Sequence, residues 1–216
     1  MKEFTLHLTG NSGGDKGKSI VLGWSFNNYE EAARRLEGRD STTGEGTGLP
    51  PLLASRDIPP LPFLPPHENG VYEIDHIVLQ TGDWDQTKAS FAAMGMELKR
   101  EIVNDKRQLR QSFYRPSQTI IEVLSSTKKQ VREGVEEAAG GGSTRDSSSI
   151  CKIWGITFSC SDIDQTHALL LACTKPPYPA LQAGRRMAVL DTSSSSSRTS
   201  MPLRVAFMSP HVGSDK

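Results

Sequence analysis

Two polar residues, His76 and Glu122, interrupt apolar segments that read as strands, and they are the residues of this sequence best placed to do chemistry. Strand side chains two residues apart lie on one face, so His76 shares a face with Ile74 and Val78. A carboxylate among apolar neighbours is costly to desolvate unless it is paired or bound to a metal. An imidazole and a carboxylate are a partial ligand set for a divalent metal ion acting as a Lewis acid. We therefore predict His76 and Glu122 as ligands of one divalent metal ion, of unspecified identity.

Two interpretations without a metal stay open for the same pair. His76 and Glu122 can form a buried hydrogen bond, or Glu122 can point to solvent from an edge strand. The sequence identifies no catalytic residue.

Three further residues are candidates for contact with a substrate. Trp154 precedes Gly155, and a ring beside a residue without a side chain leaves room for a planar ligand, although packing in the core explains Trp154 equally. Arg185 and Arg186 follow Gly184, and a guanidinium group can bind an anionic group through two hydrogen bonds. Simple solvation at the surface is the alternative for at least one of these arginines.

The elements that must position these residues form a repeated unit. A short apolar, β-branched run favours a buried strand before Asp83, which can cap a following helix. The segment that Asp83 begins recurs 79 residues later at Asp162, and five of its seven positions are identical. A capped strand–helix unit that recurs in this way indicates a duplicated module.

The repeat divides the chain into five parts. The predicted divisions are an N-terminal segment with flexible loops that resembles an eroded partial copy of the module (1–70), a first β-α-β-β-β module (71–126), a linker (127–149), a second β-α-β-β-β module (150–210) and a tail (211–216). In the second module we predict a helix over 164–173, a chain break at 176–179, and strands over 187–190 and 203–208. The closing strand of the first module is predicted over 119–124.

Composition excludes several classes of partner. Lys and Arg total 25, as do Asp and Glu, so the balanced charge gives no electrostatic footprint for nucleic acid or an anionic membrane. No apolar run approaches the ~20 residues that span a bilayer, and the N-terminus does not resemble a secretory signal. The three cysteines lack metal-site spacing, which favours reduced thiols and a cytoplasmic location.

The paired modules, with a leading strand Asp75–Leu79 and a closing strand Ile120–Leu124, resemble the vicinal-oxygen-chelate superfamily. That superfamily includes glyoxalase I, extradiol dioxygenases and bleomycin-resistance proteins. The resemblance implies an α+β fold in which two β-α-β-β-β modules form an open, curled mixed sheet around a cleft. It also implies metal ligands on the first and last strands, where His76 and Glu122 lie.

The second module departs from that pattern. The repeat aligns His76 with Gly155 and Glu122 with Ala206, so half of the ligand set that the resemblance implies is absent. Relatives of the family also complete the cleft by pairing two chains, which makes a homodimer one expected arrangement.

Three functions remain open at this point. The first is a glyoxalase-like protein that binds or acts on a small molecule. The second is a divalent-metal-dependent lyase, isomerase or dioxygenase using His76 and Glu122, and the third is a degenerate, non-catalytic interaction protein. The incomplete ligand set leaves it undecided whether the chain is an enzyme.

Overall fold

The computed structural model describes residues 36, 49–50, 67–116, 119–127, 151–171, 173–191 and 203–210, and the backbone alone at 4–10 and 19–26. The helix predicted after Asn28, most of the linker, the serine-rich loop and the tail lie outside these residues. The predicted divisions of the chain therefore stay predictions.

Strands predominate among the described residues, with a helix near the start of each half. In chain order the elements are β1 (Phe4–Gly10), β2 (Ser19–Phe26), β3 (Val71–Thr81), α1 (Trp84–Ala93), β4 (Leu98–Asn104), β5 (Leu109–Tyr114), β6 (Ile120–Ser126), β7 (Lys152–Cys160), α2 (Ile163–Leu169), β8 (Tyr178–Pro179), β9 (Arg186–Val189) and β10 (Arg204–Met208). The N-terminal strands β1 and β2, both predicted from the sequence, pair with each other in antiparallel fashion.

The other eight strands form one mixed sheet in the order β4-β5-β6-β3-β7-β10-β9-β8. In each half the first strand lies parallel to the last, since β3 pairs with β6 and β7 pairs with β10. The two halves meet where β3 and β7 run antiparallel. Both halves thus have the same strand–helix–three-strand topology, and the predicted fold class, with paired modules in one curled mixed sheet, is confirmed.

Strand register supports the alignment of the two halves. Val78 pairs with Glu122 across β3 and β6, and Thr157 pairs with Ala206 across β7 and β10. Val78 and Thr157 lie 79 residues apart, which is the offset of the sequence repeat. Ala206 therefore occupies in the second half the position that Glu122 occupies in the first.

Helix α1 begins where the sequence predicts, because the side chain of Asp83 accepts a hydrogen bond from the backbone N–H of Gln86 at 2.9 Å. Its inner face packs on the sheet and forms the core of the first half. There the ring of Phe91, fully buried, stacks on Tyr114 with the ring centres 4.3 Å apart. Such aromatic pairs stabilise a core beyond the area that they bury.

The strands of the first half alternate between two faces, as their sequences predict. Ile77 and Leu79 on β3, like Ile121 and Val123 on β6, are buried in the core under α1. Because neighbouring side chains in a strand point to opposite faces, the residues between them face the other side of the sheet. That side carries the polar candidate residues.

Helix α2 is capped like α1, since the side chain of Asp162 accepts hydrogen bonds from the backbone N–H groups of Asp164 and Gln165. The prediction that it extends to Cys173 was wrong, because it ends at Leu169. The N–H groups of Cys173 and Thr174 both bond to the carbonyl of Leu170, which turns the chain out of the helix.

The second half contains a strand that the sequence did not predict. The proline-rich segment at 176–179 was interpreted as a chain break, but Tyr178–Pro179 forms β8 at the edge of the sheet. Proline cannot donate a backbone hydrogen bond and is therefore tolerated mainly on edge strands. Within the described residues, no helix has both the length and the apolar composition needed to cross a lipid bilayer.

Candidate functional site

A β-bulge in β3 sets the geometry of the site. Ile74 pairs with Phe158 and His76 pairs with Thr157, so Asp75 is an extra residue without a partner on β7. A bulge of this kind bends the strand and re-aims side chains. Here it allows Asp75 and His76, which are adjacent in sequence, to bond to each other.

Asp75 is the centre of a buried polar network. Its Oδ1 lies 2.8 Å from Nδ1 of His76, while its Oδ2 accepts hydrogen bonds from Arg185 at 2.6 Å and from Ser159 at 3.1 Å. Burial raises the pKa of Asp75, but the hydrogen bonds and charges of His76 and Arg185 outweigh it and hold the pKa well below its ordinary value. Asp75 is therefore ionised and can only accept hydrogen bonds.

The charge of Asp75 fixes the orientation and tautomer of His76. Because the carboxylate has no proton to give, Nδ1 of the imidazole must carry the hydrogen of their shared bond. In the neutral ring, Nε2 then has a free lone pair. His76 is thereby arranged to accept a hydrogen bond, bind a cation or act as a general base through Nε2.

Glu122 faces the same lone pair. Its Oε2 lies 3.7 Å from Nε2 of His76, and its Oε1 accepts a hydrogen bond from the Gln111 amide at 2.7 Å. The distance of 3.7 Å is too long for a hydrogen bond. Strand β6 lies inside the sheet between β5 and β3, so Glu122 does not point outward from an edge. Neither interpretation without a metal describes this pair correctly.

A cavity of about 420 Å³ opens on this face of the sheet, and both residues line it. Its size is within the range of pockets that bind small molecules. Apolar side chains such as Val78, Leu124 and Val189 supply much of the wall. The cavity spans the junction of the two halves, because residues of β3, β6, β7, β9 and β10 contribute to it.

Trp154 also lines the cavity, as the sequence predicts for a residue that contacts a ligand. On β7, Gly155 pairs with Val78 and Ile153 pairs with Leu79, so Trp154 is the extra residue of a second bulge. Asp75 and Trp154 lie 79 residues apart and occupy matching bulges. The pair Asp75-His76 of the first half is thus replaced by Trp154-Gly155 in the second.

The two arginines predicted to bind substrate have other partners. The buried Arg185 donates hydrogen bonds to Asp75, to the carbonyl of Ser209 and to Gln182. The exposed Arg186 pairs with Asp164. Neither is among the residues that line the cavity, so this placement gives no support to contact with a ligand there. Arg185 instead acts on the site through Asp75.

Several residues of the site were missed from the sequence. Strict alternation places Asp75 on the face opposite His76, and no sequence signal marked the bulge that overrides it. Arg204 and Lys175 line the cavity as cations but had no motif around them. Gln111 lay in a predicted strand, two residues from the register position of Glu122, and could have been found by pairing the strands.

The donor set fits a divalent metal ion only in part. Two bonds of about 2.1 Å each can meet across the 3.7 Å between His76 Nε2 and Glu122 Oε2. The carboxylate of Asp75 on Nδ1 is also the usual outer partner of a metal-bound histidine. Catalytic zinc sites have three protein ligands, however, and in the described ranges no three His, Cys, Asp or Glu side chains come together. We derive no reaction step through a metal.

Comparisons with known proteins give structural neighbours only. No family model matches the sequence, and no curated protein matches it. Methylmalonyl-CoA epimerase from Mycobacterium tuberculosis is 16% identical with a TM-score of 0.44, and the match covers 66% of this chain and 91% of that chain. A variant of the Streptomyces coelicolor epimerase in complex with 2-nitronate-propionyl-CoA is 16% identical with a TM-score of 0.43, over 66% of this chain and 99% of that one.

A hypothetical protein from Bacillus halodurans is 13% identical with a TM-score of 0.45, over 67% of this chain and 98% of that one. The fold assignment rests on the strand order of this chain itself. That order is the paired-module topology that the resemblance to the vicinal-oxygen-chelate superfamily implies.

Proposed function

We propose that this chain binds a small molecule in the cavity between its two halves. The observation that carries the proposal is the pair His76 and Glu122, whose facing acceptor atoms lie 3.7 Å apart in the wall of a cavity of about 420 Å³. A largely apolar pocket with a few converging polar groups is the usual form of a ligand site.

The polar pair suggests what the ligand must offer. A neutral His76 and an ionised Glu122 both present lone pairs, so a hydroxyl, amino or other donor group of a ligand would satisfy them. A closed, degenerate cleft would have favoured a structural or interaction role. The volume of the cavity favours ligand binding instead.

Blocking the cavity tests this proposal. Leu124 lines the cavity, and Leu124→Trp would fill it with an indole ring. Val103 on β4 is 48% exposed, and Val103→Trp is the matched control for added bulk. We expect a screen of small metabolites by thermal shift to find compounds that stabilise the wild type and the control but not Leu124→Trp. Compounds that stabilise all three proteins equally would refute a site in the cavity.

A metal-dependent reaction is the second candidate, and the bond from Asp75 to Nδ1 of His76 favours it. A divalent ion held by His76 and Glu122 would supply Lewis-acid chemistry, polarising a carbonyl oxygen of the substrate. The remaining positions would need water or ligand oxygens, because the described residues offer no third ligand.

Elemental analysis separates the two candidates. Protein purified with added divalent ions should retain about one equivalent, and His76→Ala and Glu122→Ala should each lose it. Retention that both variants leave unchanged, or no retention at all, would eliminate the metal site and leave ligand binding in place.

A further inference from the structure

We propose that the end of the cavity formed by the second half binds an oxyanion of the ligand, a carboxylate or a phosphate, through Arg204 with Lys175 as a second cation. This inference rests on the proposed function, because it names the chemical class of the molecule bound in the same cavity. Nothing in the sequence pattern pointed to these two residues.

The guanidinium of Arg204 is held in place without being neutralised. Its Cζ lies 5.3 Å from the centre of the Trp154 ring, a cation–π distance that fixes the group over the ring face. In the described part of the chain, neither Arg204 nor Lys175 has a carboxylate within ion-pair distance. A guanidinium held by its face keeps N–H donors along its edge for bidentate binding of a carboxylate or phosphate.

The exchange of residues between the halves makes room for this arginine. Gly155 pairs with Arg204 in the second half, where His76 pairs with Ile120 in the first. A Cβ atom on residue 155 would lie 3.1 Å from the carbonyl oxygen of Arg204 and 3.5 Å from its Cβ. Any larger residue at position 155 would crowd the backbone that carries Arg204. The loss of the histidine position is therefore coupled to the gain of a cation.

The cavity is polarised as a result. Strand register places Glu122, Val78, Gly155 and Arg204 in one row across four strands. Three strand spacings separate the Cα atoms of its ends by about 14 Å, or less in a curled sheet. One end presents the acceptors of His76 and Glu122, and the other presents cations over an aromatic ring. The matching ligand is a small organic acid or phosphate ester that carries a hydroxyl or amino group at its opposite end.

Charged and neutral probes of one shape test this inference. The probes are 4-hydroxybenzoate, phenyl phosphate and the neutral 4-hydroxybenzamide, titrated into the full chain and followed by ¹H–¹⁵N NMR. Three tryptophans give three indole signals, and Trp154→Phe identifies the one in the cavity. We expect both anions to shift the Trp154 signal and to bind more tightly than the amide. The tighter of the two anions identifies the preferred oxyanion.

Arg204→Gln should weaken binding of the anions about ten-fold, as expected for loss of a charge-assisted hydrogen bond, and should change amide binding less than about two-fold. Lys175→Gln should have a smaller effect in the same direction. Arg107 is exposed and outside the cavity, so Arg107→Gln is the matched control and should change nothing.

Three results would overturn the anion site: equal affinity of wild type for acid and amide, unchanged anion binding by Arg204→Gln, or no Trp154 shift with either anion up to its solubility limit. Failure of the proposed function looks different. It would appear as probe binding that persists in Leu124→Trp, whatever the charge of the probe.

Discussion

Asp75 and Arg185 lie 110 residues apart in sequence and form a buried ion pair, with Oδ2 and the guanidinium nitrogen 2.6 Å apart. Only 6% of the Asp75 side chain and 1% of the Arg185 side chain are exposed. The pair links the start of β3 to the turn before β9, across the junction of the two halves. It also holds the carboxylate that orients His76.

Removing one charge of this pair should be costly. We expect Asp75→Asn to lower the free energy of unfolding by about 3 kcal/mol, because the charge of Arg185 would stay buried without its counter-ion. Urea denaturation measures the change. Asp164→Asn is the matched control, since Asp164 pairs with Arg186 at the exposed surface and exposed ion pairs contribute little. Equal losses in the two variants would show that the buried pair has no special weight.

The same carboxylate predicts a dependence of stability on acid. The pKa of Asp75 in the folded protein lies below the ordinary value of 3.8, so its contribution is complete above that pH and is lost as the pH falls further toward the folded-state pKa. Urea denaturation over a series of acidic buffers should therefore show stability falling more steeply for the wild type than for Asp75→Asn. Parallel curves would mean that Asp75 is not held in its ionised form by folding.

The aromatic stack under α1 should dominate the stability of the first half. Phe91 is fully buried against Tyr114, and Phe91→Ala should cost about 3–5 kcal/mol through lost packing and the cavity left behind. Val103→Ala, at an exposed position of β4, should change stability little and controls for general effects of truncation. Chemical denaturation of the three proteins provides the test, and a loss for Phe91→Ala as small as that for the control would contradict the described core.

Thiol reactivity should distinguish the three cysteines. Cys151 and Cys160 are buried, which raises the pKa of both thiols, whereas Cys173 is exposed. We expect a thiol reagent to label one cysteine rapidly in the native protein and all three in urea. Cys173→Ser should abolish the rapid phase. Rapid labelling of two or more thiols in the native protein would indicate that the second half opens readily.

Local chemistry made much of the fold predictable. Asp83 and Asp162 each cap a helix as expected, because a short acidic side chain satisfies the first free N–H groups whatever surrounds it. The alternation of Ile77 and Leu79 with polar neighbours identified the face that packs on α1. The offset between the copies predicted the position of Gly155 opposite the lost histidine.

What failed depends on contacts between distant segments. The bulge at Asp75 arises from the pairing of β3 with β7, and the alternation within β3 alone predicts the opposite face for this side chain. Arg185 was interpreted as a substrate contact because its partner, Asp75, comes from the other half of the chain. Two-residue strand β8 was missed because its prolines are acceptable only at an edge, and edges are defined by the assembled sheet.

The central claim, that the cavity between the halves is a ligand site, is tested most directly by soaking crystals of the full chain with 4-hydroxybenzoate. The account predicts electron density in the cavity, with the hydroxyl within hydrogen-bond distance of His76 Nε2 or Glu122 and the carboxylate at Arg204. Density for the probe only outside the cavity, with the cavity open in the crystal, would contradict it.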